Sequence, residues 1–328
     1  MATPYNRQNS TASGIASDLS SNIAGKVILT TGVSPGGLGA TFVETIAKHN
    51  PAVLILAGRS PSKLQATNEE IKKINPAVKT HILTLDLASQ DQIRQAATEV
   101  LAYPYAAIDV VVNSAGIMAG SWATTKEGIE LQFGSNHIGH FLFTNLIMPK
   151  VLASKTPRIV NVSSDGHRLS PVRFEDYNFQ DGKVYNQWVA YAHSKTANIL
   201  FSKALAKKLG PKGLKAYSLH PGVAFGTSLS SDLGDADFQD LKAQDKAIGD
   251  PLGDDNADFD VKTLDECAAT HVVAAFDDRI ADYNGYYLDN GNIAKLGGTG
   301  LRPTANNPED VERLWKLSEQ LVGEKFEY

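Results

Sequence analysis

A doubly wound α/β domain, with a mostly parallel sheet of seven strands and helices on both faces, is the fold class this sequence predicts. Three observations lead there. Short, continuously apolar, β-branched runs recur from residue 26 onward, as in strands of a parallel sheet buried on both faces. Stretches of helical length separate them, so successive strands are joined by crossovers. The first run leads straight into a glycine cluster, the place where such a sheet turns toward its ligand.

In order, Lys26–Thr31 reads as the first strand, followed by a glycine-rich turn and an amphipathic helix near Leu38–Lys48. Val53–Leu56 is the second strand, and Pro61 opens the next helix in the favoured first turn. His81–Thr84 is the third strand, and Ser89 caps a helix running to Leu101. Asp109–Asn113 is the fourth, a long helix is expected over Lys126–Leu152, and Arg158–Val162 is the fifth. A helix over Tyr191–Leu209 precedes Lys215–Leu219, and Tyr286–Leu288 completes the seven. Residues 1–24, rich in Ser, Ala, Thr and Asn, read as a flexible N-terminal arm, either a mobile tail or a segment that packs on the domain. The domain itself spans 25–328 and contains two irregular stretches, 168–188 and 226–262, of the length that binding loops and lids have.

The composition narrows the function. Of 328 residues, 42% are apolar and 20% charged, with a net charge of −5 and no dense basic cluster, which argues against a nucleic-acid partner. A single cysteine, Cys267, precludes an internal disulfide framework. No apolar run reaches the roughly 18 residues that span a bilayer, and the first 22 residues lack the apolar core of a secretory signal. A cytoplasmic location is therefore expected.

Between the first strand and the first helix stands Thr31-Gly32-Val33-Ser34-Pro35-Gly36-Gly37-Leu38-Gly39. Glycines let backbone approach a pyrophosphate, and the helix start points free N–H groups at it. A dinucleotide site is expected in that context. After the second strand, where NAD sites carry a carboxylate for the ribose hydroxyls, the chain has Gly58-Arg59-Ser60, with Lys63 one turn on. A guanidinium there suits a 2′-phosphate, which favours NADP(H) over NAD(H).

Tyr191 and Lys195 stand four apart at the start of a helix, on one face. A free phenol, with a pKa of about 10, is a poor base at neutral pH. An ammonium at 4 Å in an effective dielectric of 20 attracts the phenolate by about 4 kcal/mol, enough to draw the pKa toward 7 and make the tyrosine a general acid and base.

With these residues in place, the segment from Gly25 to Leu229 resembles the short-chain dehydrogenase/reductase family. Asn113-Ser114-Ala115-Gly116 looks like the family's Asn-Asn-Ala-Gly segment, Val162-Ser163-Ser164 like the strand end that carries its serine, and Phe133–Phe141 like the segment that carries its asparagine. The form Asn136-His137-Ile138-Gly139-His140-Phe141 is typical of the retinol-dehydrogenase-like branch, which also includes protochlorophyllide reductases. The resemblance implies a tetrad of Asn136, Ser164, Tyr191 and Lys195. In it Ser164 polarises a carbonyl, Tyr191 supplies the proton, Lys195 tunes Tyr191 and holds the nicotinamide ribose, and Asn136 anchors a water that relays protons. It also implies cofactor contacts from Asp86 and Leu87, from the backbone of Asn113, Ala115 and Gly116, and from His220-Pro221-Gly222-Val223 with Thr227 or Ser228.

Two departures stand out: four residues separate Gly32 from Gly37 where three are common, and the threonine after Pro221 comes one residue late. His137, His140, His167 and His193 flank the site without the spacing of a metal set. The expected activity is hydride transfer between NADP(H) and a carbonyl or alcohol carbon. Phe174, Tyr177, Tyr185, Trp188 and Phe225 are expected to make an apolar, aromatic pocket. The alternatives are reduction of a conjugated C=C or C=N bond, and a catalytically inactive dinucleotide sensor or scaffold, which would be expected to lack Tyr191, Lys195 or Ser164. The family resemblance allows a homodimer or homotetramer.

Overall fold

The computed structural model describes residues 2–7, 9–224, 226, 227, 229, 233–248, 260–298 and 300–328. Two short helices, α1 (Ala12–Asp18) and α2 (Ser20–Ile23), lead into β1 (Val27–Thr31), α3 (Leu38–Ala47), β2 (Val53–Gly58), α4 (Pro61–Ile74), β3 (Lys79–Thr84) and α5 (Gln90–Ala102). The chain continues through β4 (Val110–Asn113), α6 (Leu131–Phe133), a π-turn (Gly134–Ile138), α7 (Gly139–Leu152) and β5 (Arg158–Val162). Then come α8 (Gln187–Leu209), β6 (Lys215–His220), α9 (Asp235–Ala247), α10 (Leu264–Phe276), β7 (Tyr287–Asp289), β8 (Asn292–Ile293) and α11 (Pro308–Val322).

The strands form one sheet in the order β3-β2-β1-β4-β5-β6-β7-β8. The first seven run parallel, and β8 returns antiparallel on β7. The sheet thus has eight strands, not seven. The extra one follows from Asn290-Gly291, whose φ values of 51° and 71° make the tight turn that folds a two-residue hairpin. Strand order reverses between β1 and β4, which opens a crevice at their carboxyl ends.

Each face of the sheet buries its own core. Ile93, Phe141, Leu200 and Leu314 pack on one face from α5, α7, α8 and α11. Phe42, Leu64 and Val272 pack on the other from α3, α4 and α10, joined by Ile15 and Ile23 of the N-terminal segment. That segment is therefore not a loose arm. Ser13 N–H and Oγ–H both donate to Asp265, Arg7 pairs with Asp260 and Glu266, and Thr3 Oγ donates to Gly291 O.

Two further expectations change. The helix expected over 126–152 begins only at Leu131 and is widened by the π-turn, in which Gly139 N–H bonds Gly134 O, five residues back. The stretch 226–262 contains α9, which the Asp- and Gly-rich sequence concealed.

Candidate active site

At the end of β1 the chain turns because glycine permits it. Gly32 has φ +76°, and a Cβ there would lie 2.5 Å from Ala115 Cα, so no side chain fits between this turn and the one after β4. Gly36 has φ +73°. A Cβ on Gly39 would lie 2.6 Å from Gly32 O, which lets α3 start hard against the turn, with Gly37 as its N-cap and Leu38 as its first residue. Ser34 O accepts from Gly37 N–H. Thr67 Oγ–H of α4 donates to Val33 O at 2.7 Å and pins the loop, a contact that sequence reasoning missed.

Arg59 and Lys63 are exposed at the head of α4, and neither forms an ion pair among the described residues. Ser60 Oγ caps that helix by accepting from Lys63 N–H. Asp86 closes a turn after β3, with Oδ1 accepting from Ala88 N–H, while the neighbouring Leu87 lies under Gly139 of α7. Asn113 points away from the crevice: its Nδ2 donates to Thr144 and Asn161 in the core, so it offers only backbone. At Gly116 a Cβ would stand 3.3 Å from Asn136 Oδ1 and 3.4 Å from Lys195 Nζ. Beyond β6, Pro221 is buried and Gly222 has φ +100°, packed so that a Cβ would meet the Lys262 side chain at 2.5 Å. Val223 O accepts from Lys262 N–H. Thr227 is half-buried. Ser228 and Phe225 lie outside the described residues.

The four tetrad residues come together. Lys195 Nζ sits 5.4 Å from the centre of the Tyr191 ring and donates to Val162 O. The Tyr191 ring and Ser164 Oγ stand side by side around Gly166. Of the two serines, Ser163 is buried and its Oγ–H is spent on Lys195 O, whereas Ser164 is half-buried in the crevice. Asn136 stands in the π-turn. Its Nδ2 donates to Ile117 O and Ser194 Oγ, and its Oδ1 accepts from Ile117 N–H, so the side chain braces the loop after β4.

The electrostatics differ from the simple expectation that Lys195 lowers the Tyr191 pKa. Burial pushes the phenol well above its ordinary 10; the Ser164 hydrogen bond opposes this, and the charge of Asp165 adds to it. Burial also lowers Lys195 to about 8. Desolvation is the leading cause of both shifts, and the ammonium lies beside the ring, held by a backbone carbonyl.

The sequence offered little warning of several neighbours. A Cβ on Gly166 would lie 3.2 Å from both Ser164 Oγ and Tyr191 Cε1, so a side chain there would crowd both groups. Thr31 Oγ accepts from the N–H groups of Ser114 and Ala115, so its proton goes to His140 Nε2 at 2.9 Å. The other ring nitrogen of His140 then donates to Asn136 O at 3.0 Å. His140 thereby links β1, the loop after β4 and the π-turn.

The aromatic pocket is partly redrawn. Phe174 lies under Arg313 of α11, and Tyr177 packs near Phe133, both toward the core. Tyr185 accepts from Gln132 Nε2 and donates to Gly120 O. Trp188 is buried in an apolar cluster with Leu169 and Ala192, against which Met118 and Leu241 of α9 pack.

Residues 26–178 match the family model described as short chain dehydrogenase. Human retinol dehydrogenase 13 is 34% identical over 92% of this chain and 86% of its own length. Human retinol dehydrogenase 12 is 32% identical over 93% and 89%. A crystal structure of an uncharacterized protein from Mycobacterium paratuberculosis superimposes with a TM-score of 0.69 at 27% identity, covering 99% of this chain and all of that one. With the glycine turn at the head of the sheet and Tyr191, Lys195 and Ser164 gathered at its edge, these relationships assign the chain to the short-chain dehydrogenase/reductase family, in its retinol-dehydrogenase-like branch.

Proposed function

We propose that the protein is an NADP(H)-dependent oxidoreductase acting on the carbonyl or alcohol carbon of a small, apolar or ring-bearing molecule. The observation that carries this reading is the convergence of Tyr191, Ser164 and Lys195 beside a turn that side chains would obstruct. The residues present fit a dinucleotide. Added Cβ atoms at Gly32 and Gly39 would strike backbone at 2.5 and 2.6 Å, leaving bare backbone for a pyrophosphate. Arg59 and Lys63 are exposed cations where a 2′-phosphate would sit, and the half-buried carboxyl of Asp86 is spent on its own turn. Gly116 leaves room at Lys195 Nζ for a ribose. When bound, the nicotinamide supplies or accepts the hydride.

The chain's own residues handle the proton. Ser164 and Tyr191 stand side by side around Gly166, from where both hydroxyls can approach a carbonyl oxygen as charge builds on it. Tyr191 gives up its proton in reduction and takes it back in oxidation. Lys195, at about 8, is mostly cationic at neutral pH and stabilises the phenolate that results. The cluster of Met118, Leu169, Trp188 and Leu241 forms an apolar wall, in keeping with relatives named for retinol. Among the described residues no helix is long and apolar enough to cross a membrane.

A screen of ketones, aldehydes and alcohols, followed separately by NADPH and NADH absorbance, tests the reading. Turnover of ring-bearing carbonyls with NADPH at least about tenfold better than with NADH is expected from a charge-assisted phosphate clamp. Equal use of both nucleotides would remove the cofactor assignment, and tight NADPH binding without turnover of any class would remove the enzyme.

A further inference from the structure

Next to Ser164 stands a carboxylate that the tetrad does not require. Asp165 Oδ1 accepts the Ser164 hydroxyl proton at 3.2 Å, and its backbone N–H donates to His220 Nδ1 at 3.1 Å. The turn itself does not need the charge, because its cap is Ser164 Oγ, which accepts from Gly166 N–H at 3.0 Å. The side chain is 29% exposed on the crevice side, and its second oxygen has no hydrogen bond among the described residues. His220 Nδ1 takes the Asp165 N–H, so the ring proton sits on Nε2, away from the carboxylate 3.8 Å off. His167 Nδ1 donates to Ser164 O, its Nε2 accepts from Arg302 N–H, and burial lowers its pKa to about 4.

This arrangement matters for what can bind. Ser164 has one proton, and it goes to Asp165. A bare ketone therefore meets a serine whose donor is already committed, and must compete with a carboxylate for it. A substrate with its own hydroxyl or ammonium near the reacting carbon can donate to Asp165 instead and release the Ser164 proton to the carbonyl oxygen. A substrate with a carboxylate in that place meets like charge. Burial works against the Asp165 charge, whereas the Ser164 hydrogen bond and the Arg168 guanidinium favour it.

We propose that Asp165 is a specificity-determining residue that selects substrates bearing a hydrogen-bond donor, a hydroxyl or an ammonium, next to the reacting carbonyl or carbinol carbon, and rejects anionic ones. This rests on the oxidoreductase reading of the site and narrows its substrate class.

Three probes of one ring and one ketone separate the possibilities: 2-hydroxyacetophenone, acetophenone and phenylglyoxylate, each with saturating NADPH. The wild-type kcat/KM should favour the hydroxy ketone over acetophenone by about tenfold or more, as for a hydrogen bond to a charged group, and should disfavour phenylglyoxylate by a similar factor. Asp165→Asn, nearly identical in shape, should raise the phenylglyoxylate-to-acetophenone ratio about tenfold. Asp165→Leu should also bring the hydroxy-ketone preference close to one. Because each readout is a ratio within one protein, a general loss of activity does not disturb it.

Unchanged ratios in both variants would overturn the assignment, and so would a wild-type enzyme that prefers plain acetophenone, whether or not the variants fold. A wild-type protein that turns over none of the three ketones, nor their alcohols in reverse with NADP⁺ or NAD⁺, would overturn the oxidoreductase reading and this proposal with it. Turnover with unchanged ratios removes only the role of Asp165.

Discussion

On the β1–β2 side of the crevice the site is made of backbone: Gly32, Gly36 and Gly39 leave peptide groups bare, and the charged side chains Arg59 and Lys63 stand exposed at the margin. On the β4–β5–α8 side it is made of buried side chains, each held by another. Asn136 is held by Ile117 and Ser194, His140 by Thr31 and Asn136, and Ser164 by Asp165 and Gly166. The first kind of site is specified within a few residues of chain, because a turn and a close approach need glycine there. The second kind depends on partners far apart in sequence and on burial, which raises Tyr191 and lowers Lys195 and His140. The glycine half is accordingly a seat of bare backbone, whereas the buried half gathers ionisable side chains at an electrostatic cost.

The sharpest test of that contrast is Tyr191→Phe. It removes one hydroxyl from the buried half and leaves the glycine half untouched. Turnover should fall by about a thousandfold, within the range of a lost general acid and base, while NADPH affinity by fluorescence titration stays within about twofold. Loss of nucleotide binding in proportion to activity would show that the two halves are not separable.

Acid should open the buried half first. Burial lowers His137 and His193 to about 3, and His140 and His167 to about 4, and all four lie on this side. An unfolded histidine titrates near 6.5. Below that pH the unfolded chain binds protons that the folded chain refuses, so stability falls as pH drops from 6.5 toward the folded values. Each histidine contributes up to about 1.4 kcal/mol per pH unit. Glu130, which burial raises to about 7, acts the other way between 7 and 4.5, one group against four. Urea melts at pH 7 and pH 5 should show a clear drop in midpoint, and hydrogen exchange at pH 5 should show α7 and α8 opening before α3 and α4. A midpoint unchanged at pH 5 would mean that water reaches these rings.

The glycine half makes a smaller, cleaner prediction. Arg59→Ala removes an exposed cation with no protein partner among the described residues, so the fold should not notice. NADPH should bind about 10- to 100-fold more weakly, the worth of a charge-assisted contact, with NADH within about twofold. Parallel losses for both nucleotides would place the arginine elsewhere than at the 2′-phosphate.

The same contrast explains what the sequence could and could not reveal. The strands and the glycine turn were legible because apolar runs and glycine spacing are local signals. Tyr191, Lys195, Ser164 and Asn136 were singled out through their order along the chain. The π-turn was not, because it accompanies a ring nitrogen of His140 bonded to Asn136 O, a contact that needs the folded neighbour Thr31. Nor was the rise in the Tyr191 pKa, since an isolated Tyr–Lys pair gives no measure of burial. Two features left signals that decide what the first reading left open or missed. Ala12, Ile15, Ala16, Leu19 and Ile23 recur at helical spacing and are all buried, which marks a packed helical segment rather than a loose arm. Asn290-Gly291 is a hairpin turn by composition.

The least visible element, α9, supplies the mildest prediction. Its amphipathicity is weak and none of its residues is fully buried, so it is held from outside. Trp188 Nε1–H donates to Asp237 O at 2.9 Å, Gln187 Nε2 to Asp237 Oδ1 at 2.7 Å, and Asn186 Nδ2 to Asp240 Oδ2 at 2.9 Å. Trp188→Phe keeps the ring in its cluster with Leu169 and Ala192 and removes one of these three bonds. A net loss of about 1 kcal/mol corresponds to roughly fivefold in the equilibrium that keeps α9 in place. If α9 closes over bound substrate, KM rises by about that factor and kcat holds, because the tetrad is unchanged. A lower melting temperature with KM unaltered would make α9 a surface insertion that braces α8 and takes no part in binding.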